Sequence, residues 1–409
     1  MTRRPYRGIP PRPPMGFPVV RGWDRAPVPH PVWDAVEPTF HVPFKGITTD
    51  GTVAGGLYPI TRTGASTGEM IAAARAYIAA LSAGQQAEFV LPADSPAWRR
   101  WTNAFPRWTP HGILLDDLDG RQREKALRLI EESLSASGYT TVRNVMKLNE
   151  ALGEMVDDMR DTLTQWIYWF TVFGQPRGDR PWGWQLVGHH LDLHCFVLGD
   201  QVVMTPSFLG AEICEVDDGP FAGTRVFGRE RAGALAFVNA LTPAQRRTAV
   251  LYPSILSKDL PRELDHPSNG RMRAGAGADN AVIRYEGLPA ADLPAAQQAR
   301  LLTLLETHIS MVRDTHRGVR MEEIRKHLDE THVAWIGGTG ADDAFYYKIH
   351  SPVVLVEYDC HSSVFFEADD PVPFHVHIVV RTPNGNDYGK DLLAQHYAQF
   401  GHSIAQVTP

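Results

Sequence analysis

The chain has 409 residues, of which 40 are Lys or Arg and 47 are Asp or Glu, giving a formal net charge of −7. The basic residues are spread thinly, which disfavours nucleic acid as a partner, and no apolar stretch approaches the roughly 20 residues of a membrane span. The three cysteines, Cys195, Cys214 and Cys360, show no C-x-x-C spacing, so we expect a cytoplasmic protein whose metal sites, if any, lack thiolates.

The N-terminal region is rich in Pro, Gly, Trp and β-branched residues and shows no helical period over residues 1–62. We expect it to wrap the body as an extended arm with short strands. From Thr67 to Leu81, apolar positions recur at the spacing of an amphipathic helix. The stretch from Asp94 to Pro110 places Trp98, Trp101 and Trp108 among prolines. A long irregular loop held by aromatic packing is favoured there over a pocket.

The remaining elements follow as helices and then strands, twice over. The first set is predicted as helices at about 120–136 and 144–163 and a sheet at 166–228. The second set is predicted as helices at about 229–249, 294–314 and 318–329 and a sheet at 332–383, closed by a last helix from Lys390 to Phe400. Between them, the Gly- and Pro-containing stretch from Leu264 to Asn280 is the clearest candidate for a mobile loop or lid.

A short motif marks the starts of helices in both sets. The pattern Leu-x-x-x-Gln recurs at residues 81–85, 118–122, 241–245 and 293–297, and three of the four copies have the spacing of a capping box. Since the order of elements repeats after roughly 160 to 180 residues, the pattern predicts a duplication. We therefore predict an α+β fold of two internally repeated halves, residues 63–228 and 229–409. Each half has helices followed by a mainly antiparallel sheet.

Two dense histidine pairs are the best indication of function. His189 and His190 follow Gly188 in the first half, and His375 and His377 flank a valine at a comparable place in the second half, so we expect equivalent sheets of the two halves each to contribute one pair to a shared centre. Neutral imidazole is the commonest metal ligand. Because side chains alternate faces along a strand, His375 and His377 share one face and can grip one ion.

The first pair leaves two arrangements open. In an unbroken strand, His190 shares a face with Asp192 and His194, and these three would be the ligands. If Gly188 marks a bulge, His189 and His190 could both turn inward. His350 is a further, weaker candidate ligand, and His361 is equally weak.

Four residues are candidates for catalysis beside such an ion. Glu212 and Glu357 lie near strand ends and could act as general base or complete the metal shell. Arg381 shares the face of His375 and His377 and could hold a substrate carboxylate. Tyr347 could move a proton. The aromatic residues expected to make the pocket dry and apolar are Phe173, Trp182, Trp184, Tyr346 and Tyr347.

Several segments resemble the core of the family known as domain of unknown function 3500. They are Trp182–Leu191, Val197–Glu212, Tyr346–Pro352, Val356–Asp359 and His375–His377 with Asn386–Leu393. The resemblance covers about residues 65–400 and implies that His189, His190, His375 and His377 are the transferable positions. Asp192 and His194 are particular to this chain. Between Tyr358 and His375, the sequence departs from the Asn-rich stretch that is typical of the family.

A site dominated by histidines favours Fe, Cu or Zn over Mg or Ca, which prefer oxygen ligands. We therefore expect a metal-dependent oxidoreductase or oxygenase acting on a small organic substrate. A metal-dependent hydrolase of an ester, amide or lactone is the first alternative, and a non-catalytic ligand-binding protein is the second. The sequence leaves a homodimer open.

Overall fold

The computed structural model describes residues 4–14, 31–102, 111–156, 159–266 and 269–400. Within these ranges the chain forms ten α-helices and thirteen strands, and the strands join into one mixed, mainly antiparallel sheet. No helix in the described ranges combines the length and apolar composition needed to cross a membrane.

The helices agree with most of the predicted positions. They are α1 (Pro31–His41), α2 (Gly68–Ala80), α3 (Ala83–Phe89), α4 (Gly120–Ser133), α5 (Ala136–Val156), α6 (Gly228–Asn239), α7 (Pro243–Ala249), α8 (Ala295–Ile309), α9 (Asp314–Lys326) and α10 (Lys390–Phe400). The helix predicted at 229–249 is divided in two, because Thr242 caps a new helix by accepting the backbone N–H of Gln245. The expectation that residues 1–62 contain no helix was wrong, since α1 lies there.

The strands are short in the outer positions and longer in the middle of each half. They are β1 (Val90–Leu91), β2 (Ile113–Leu114), β3 (Tyr168–Gly174), β4 (Trp182–Gly188), β5 (Leu191–Leu198), β6 (Gln201–Val203), β7 (Ser207–Ala211), β8 (Val250–Tyr252), β9 (Leu288–Pro289), β10 (His332–Gly337), β11 (Phe345–His350), β12 (Leu355–Cys360) and β13 (Val376–Arg381).

The strand order reads the same way from either edge of the sheet toward the middle. It is β1-β3-β4-β5-β7-β13-β12-β11-β10-β8, with β2 beside β3, β6 beside β5 and β9 beside β10. The outer pairs β1–β3 and β8–β10 are parallel, and the other pairs are antiparallel. The two middle strands, β7 and β13, pair with Gly210 opposite His377. This pairing joins the two groups of strands into one sheet.

The two faces of the sheet are covered differently. On one face, the Trp184 indole donates to Ser133 Oγ of α4 at 2.9 Å, and the Tyr347 hydroxyl lies 2.6 Å from His308 Nε2 of α8. We call this the helix face. On the other, the loop face, non-helical segments cover a row of buried polar side chains. They include Gln185, Asp192, His194, Lys348, Glu357, Asp359, His377 and Arg381. Buried ionisable groups are expensive unless paired or functional, so the loop face is where chemistry is expected.

The segment predicted as a mobile lid, residues 264–280, is anchored to the loop face wherever it is described. Arg271 is 3% exposed and pairs with Asp359, with Nε 2.7 Å from Oδ1. The backbone N–H groups of Arg273 and Ala274 donate to the Glu357 carboxylate. These buried contacts make the segment a packed cover, which differs from the prediction.

The tryptophans of the predicted irregular loop pack as expected. Trp98 stacks on Phe173 with ring centroids 3.9 Å apart, and the Trp101 indole donates to the Tyr388 hydroxyl at 2.8 Å. Trp108 lies outside the described residues.

Candidate metal centre

The first histidine pair forms the two-residue turn of a β-hairpin. Strand β4 ends at Gly188 and β5 begins at Leu191, and these two residues pair. A Cβ at Gly188 would lie 2.2 Å from the Tyr168 ring, so only glycine fits. His190 has φ 62°, a left-handed conformation that histidine adopts more readily than most residues. The turn therefore matches neither the unbroken strand nor the bulge considered from the sequence, and its two imidazoles stack on each other.

The second pair comes from the start of β13. His377 lies on the loop face, and His375 immediately precedes the strand. His375 Nδ1 lies 2.7 Å from the Ser362 carbonyl oxygen, and this contact requires the proton on Nδ1 because a carbonyl only accepts. In the neutral ring the other nitrogen, Nε2, is then unprotonated, and its lone pair faces His377 Nε2 at hydrogen-bond distance, 3.2 Å. A hydrogen bond from Nδ1–H to a backbone carbonyl, such as the one to Ser362, typically orients a metal-binding histidine.

His190, His375 and His377 form one buried group that could hold a metal ion. One ring nitrogen of each lies within 4.8 Å of the others. Two imidazole nitrogens about 2.05 Å from a tetrahedral ion lie about 3.3 Å apart, close to the 3.2 Å between His375 and His377. The three side chains are at most 5% exposed. In the described part of the chain, no carboxylate or thiolate belongs to this group.

Gly210 on β7 makes room for two of these rings. A Cβ at this position would lie 2.8 Å from His190 Cδ2 and 2.9 Å from His377 Cδ2. Real Cβ atoms essentially never come so close to a neighbour, so the two imidazoles pack directly over the bare backbone. The backbone N–H of Gly210 also donates to the His190 carbonyl oxygen at 2.7 Å. Gly210 is therefore part of the centre although it offers no ligand atom.

The three imidazoles are neutral at ordinary pH. Burial lowers the pKa of His190, His375 and His377 well below the usual histidine range, and the neighbouring imidazoles lower it further. A neutral imidazole keeps a lone pair for a metal ion, whereas an imidazolium does not. The environment thus favours the form that ligates metals.

A fourth histidine, His361, packs beside the group. Its ring centroid lies 4.0 Å from that of His377, and its Nε2 lies 2.9 Å from Asp359 Oδ2. Burial would raise the pKa of Asp359, but the charges and hydrogen bonds of Arg271 and His361 together outweigh burial and lower it. The sequence interpretation rated His361 no higher than His350. Its spacing of two from Asp359 was the available signal, because it places both residues on one face.

Glu212 lies at the edge of the same region. It lines a small cavity of about 10 Å³ together with Asn149, His190 and Gly210. Ser363 Oγ and the backbone N–H of Phe365 donate to its Oε1. Burial raises the pKa of Glu212 to about 7. A carboxyl group with such a pKa can both accept and release a proton near neutrality.

Three of the other candidate ligands from the first half lie outside the group. His189 Nδ1 is 2.6 Å from Asn149 Oδ1, and its ring stacks on His190 at 3.9 Å. His194 contacts the Pro206 carbonyl oxygen at 2.7 Å and the Gln185 side chain at 2.8 Å. Asp192 is fully buried, and burial raises its pKa well above the usual range.

The remaining candidates from the second half are engaged elsewhere. Tyr347 lies on the helix face, where burial raises its pKa well above the usual range. Arg381 shares the face of His377, as predicted, and it is fully buried, with Nη2 3.0 Å from Asp279 Oδ1 and Nη1 3.5 Å from Asp387 Oδ2.

Glu357 accepts hydrogen bonds from backbone N–H groups of the covering segment and from the Tyr346 hydroxyl at 2.7 Å. His350 packs edge-on against Tyr285 at 4.7 Å and is not part of the group. The described aromatic neighbours of the histidines are Phe208, 5.1 Å from His377, and Phe365, 6.4 Å from His189. They replace the aromatic set expected from the sequence.

The fold and site together define a mixed α/β protein with a buried three-histidine group suited to a metal ion. The chain belongs to the family described as "Protein of unknown function (DUF3500)", which it matches over residues 63–390. No curated protein and no solved structure matches the chain.

Proposed function

We propose that His190, His375 and His377 hold one transition metal ion, Fe, Cu or Zn, and that the protein is a metal-dependent enzyme. The observation that carries the proposal is the convergence of three buried, neutral imidazoles with ligand nitrogens within 4.8 Å of one another. Three protein ligands leave coordination positions open, as in catalytic rather than structural sites.

The reaction that we propose is oxidation of a small organic substrate. An all-imidazole ligand set suits redox-active Fe or Cu as well as Zn, and the bound ion would supply a position for dioxygen or for a polarised substrate oxygen. Phe208 and Phe365 make the surroundings apolar. The cavity beside His190 measures about 10 Å³, room for about one water molecule, and Glu212 on its wall would accept or return the proton.

Metal analysis of the purified protein, joined to an oxygen-uptake assay with small organic compounds, tests this proposal. We expect about one Fe or Cu per chain and oxygen consumption that depends on an added compound. His375→Ala and His377→Ala should lose the metal, whereas His332→Ala, a histidine stacked on Tyr285 away from the group, should keep it. Absence of stoichiometric metal would contradict both the oxidoreductase and the hydrolase proposals. A non-catalytic ligand-binding protein would then be the remaining alternative.

The alternative of a hydrolase is supported by Glu212. With a pKa of about 7 and a place on the cavity wall beside His190, it suits a general base for a metal-activated water. Under this alternative the analysis should find Zn. Esters, amides or lactones should then be cleaved without oxygen uptake, and Glu212→Gln should lower turnover while the metal is retained.

We also propose that residues 63–228 and 229–409 are two copies of one unit. The mirrored strand order supports this proposal, as do two glutamine pairs that make the same side-chain hydrogen bond, one pair in each half. The side chain of Gln122 donates to Gln85 Oε1 at 2.9 Å, and that of Gln297 donates to Gln245 Oε1 at 3.1 Å. Superposition of the halves in an experimental structure should align β3–β5 on β10–β12 with a constant offset of 163 residues. This offset places the pair Trp169–Val187 on His332–His350 and the pair Gly183–Phe196 on Tyr346–Asp359.

The alignment of the two halves also indicates which positions correspond to the histidine pairs. The hairpin turn at His189 and His190 corresponds to Pro352 and Val353 between β11 and β12, whereas His375 and His377 belong to the start of β13. The two pairs are therefore not counterparts of each other, contrary to the interpretation from the sequence. In this account the centre arose after duplication, from unrelated positions of the two copies.

A further inference from the structure

A groove crosses the helix face of the sheet at the seam between the two halves. The helices of each half cover mainly their own strands, and the middle strands β7 and β13 lie below the seam. A cleft of about 360 Å³ opens there, with Leu209, Ile378 and Val380 among its lining residues. Leu209 is partly exposed although it lies on a middle strand. The apolar floor of the sheet is thus accessible at this point.

A second cleft continues the first. It measures about 60 Å³ and shares Ser207, His308, Met311 and Val380 with its neighbour. Because four lining residues are common to both, the clefts form one elongated groove with an apolar floor. Hydroxyl groups of Ser137, Thr141, Thr307 and Ser310 line its sides. Elongated grooves of mixed polarity are typical of sites for small organic molecules.

The two ends of the groove differ in charge. At one mouth lie Arg225 and Arg229, both exposed, and neither forms an ion pair with any residue that the structure describes. Glu230 lines the same cleft, and its single carboxylate offsets only one of the two guanidinium groups. At the other mouth Arg320 is paired with Glu323 at 2.8 Å. One end of the groove therefore carries a net positive charge, whereas at the other end the charge of Arg320 is neutralised by Glu323.

We infer that this groove binds an elongated organic anion, with its apolar body on Leu209, Ile378 and Val380 and its carboxylate between Arg225 and Arg229. Arginine forms paired hydrogen bonds with a carboxylate, and apolar contact with the sheet floor supplies the remaining affinity. The site lies on the helix face, whereas His377 lies on the loop face. It is independent of the proposed metal chemistry.

Displacement of 8-anilinonaphthalene-1-sulfonate by dodecanoate, followed by fluorescence on the full chain, tests the inference. We expect saturable probe binding that dodecanoate reverses. The double variant Arg225→Ala/Arg229→Ala should bind dodecanoate at least about tenfold more weakly, since a charge-assisted hydrogen bond contributes about 1.5 to 3 kcal/mol. The matched control, Arg62→Ala/Arg180→Ala, removes two exposed arginines outside the groove and should bind as the unaltered chain does.

A blocking variant makes the test independent of charge. Thr141→Trp places an indole in the groove from α5 and should abolish displacement while the circular dichroism spectrum and the metal content stay unchanged. Unaltered dodecanoate affinity in either the double arginine variant or the blocking variant would overturn the inference. Loss of the metal proposal would leave this result untouched, because the measurement requires no metal.

Discussion

The smallest residue of the candidate centre has the strictest steric requirement. Gly210→Ala would place a methyl group 2.8 and 2.9 Å from ring atoms of His190 and His377. Both imidazoles would have to shift, and we expect metal affinity to fall by about 10- to 100-fold, as is typical when ligand orientation is disturbed. Competition with a coloured chelator measures the affinity. Gly84→Ala is the control, because nothing lies within 4 Å of its added methyl group; equal affinity in both variants would contradict the packing described.

We predict that Glu212 makes the free energy of unfolding decrease as the pH rises. Its pKa is raised from 4.5 to about 7 in the folded state, so folding favours the protonated form. Stability is then lost as the pH rises from about 4.5 through 7, by up to about 3 kcal/mol for a pKa difference of about 2.5. Urea unfolding of the metal-free protein at pH 5 and pH 8 checks this prediction.

Glu212→Gln removes the ionisable group and should abolish that part of the pH dependence. Glu124→Gln, at a side chain 74% exposed, should leave it intact. A parallel pH dependence in the unaltered chain and in Glu212→Gln would show that the carboxyl group is not desolvated.

Sequence patterns identified the important histidine pairs but could not choose between neighbours. His189 and His190 are adjacent, and their roles depend on the turn that Gly188 permits against Tyr168, a contact 20 residues away along the chain. His350 and His361 looked equivalent because both follow strand-like runs. Only the pairing of β12 with β13 brings His361 beside His377. Such choices are made by tertiary contacts that local periodicity does not encode.

The covering segment should contribute strongly to stability through one buried ion pair. Arg271→Met leaves the Asp359 carboxylate buried without its guanidinium, and we expect a loss of about 3 to 5 kcal/mol. The urea midpoint measures it. Asp359→Asn in the same chain should recover part of the loss. Arg12→Met, which breaks an exposed pair with Asp369, should cost at most about 1 kcal/mol; similar losses in both single variants would refute the anchoring role.

The matched helix starts should respond alike to loss of their caps. Ser82 and Thr242 each accept the N–H of a glutamine three residues on, and both complete a capping box. Ser82→Ala and Thr242→Ala should each destabilise the chain by about 1 kcal/mol. Thermal unfolding of both variants beside Thr52→Ala, at an exposed residue outside the helices, checks the prediction. A change in only one of them would show that the two helix starts are not energetically equivalent.

Element prediction succeeded where local signals were strong. Apolar periodicity located α2 and α10, and the capping boxes marked α3, α4 and α7. Element prediction failed for α1, an eleven-residue helix that contains Pro38, because the prolines around it favoured an extended segment. It also failed for residues 264–280, whose glycines suggested mobility. Gly270 has φ 56° and lies against Asp359 and His361, so its flexibility serves close packing.

At the scale of the whole molecule, the repeated order of elements predicted a mainly antiparallel sheet but not its single, continuous form. The pair that joins the two groups of strands, β7 with β13, brings together residues about 170 positions apart in the sequence. Neither strand has a sequence pattern that identifies the strand with which it pairs. The groove on the helix face and the histidine group near the ends of β7 and β13 both depend on that pairing. Neither could be located before the strand order was known.

A crystal structure of the metal-loaded protein, with anomalous scattering measured at the absorption edge of the metal found by analysis, tests the central claim most directly. The account predicts one anomalous peak per chain, about 2.0 to 2.2 Å from a ring nitrogen of each of His190, His375 and His377. His189 and His194 should lie outside the coordination shell. A peak bound by His194 and Asp192, or no peak near the three histidines in a metal-loaded crystal, would contradict the account.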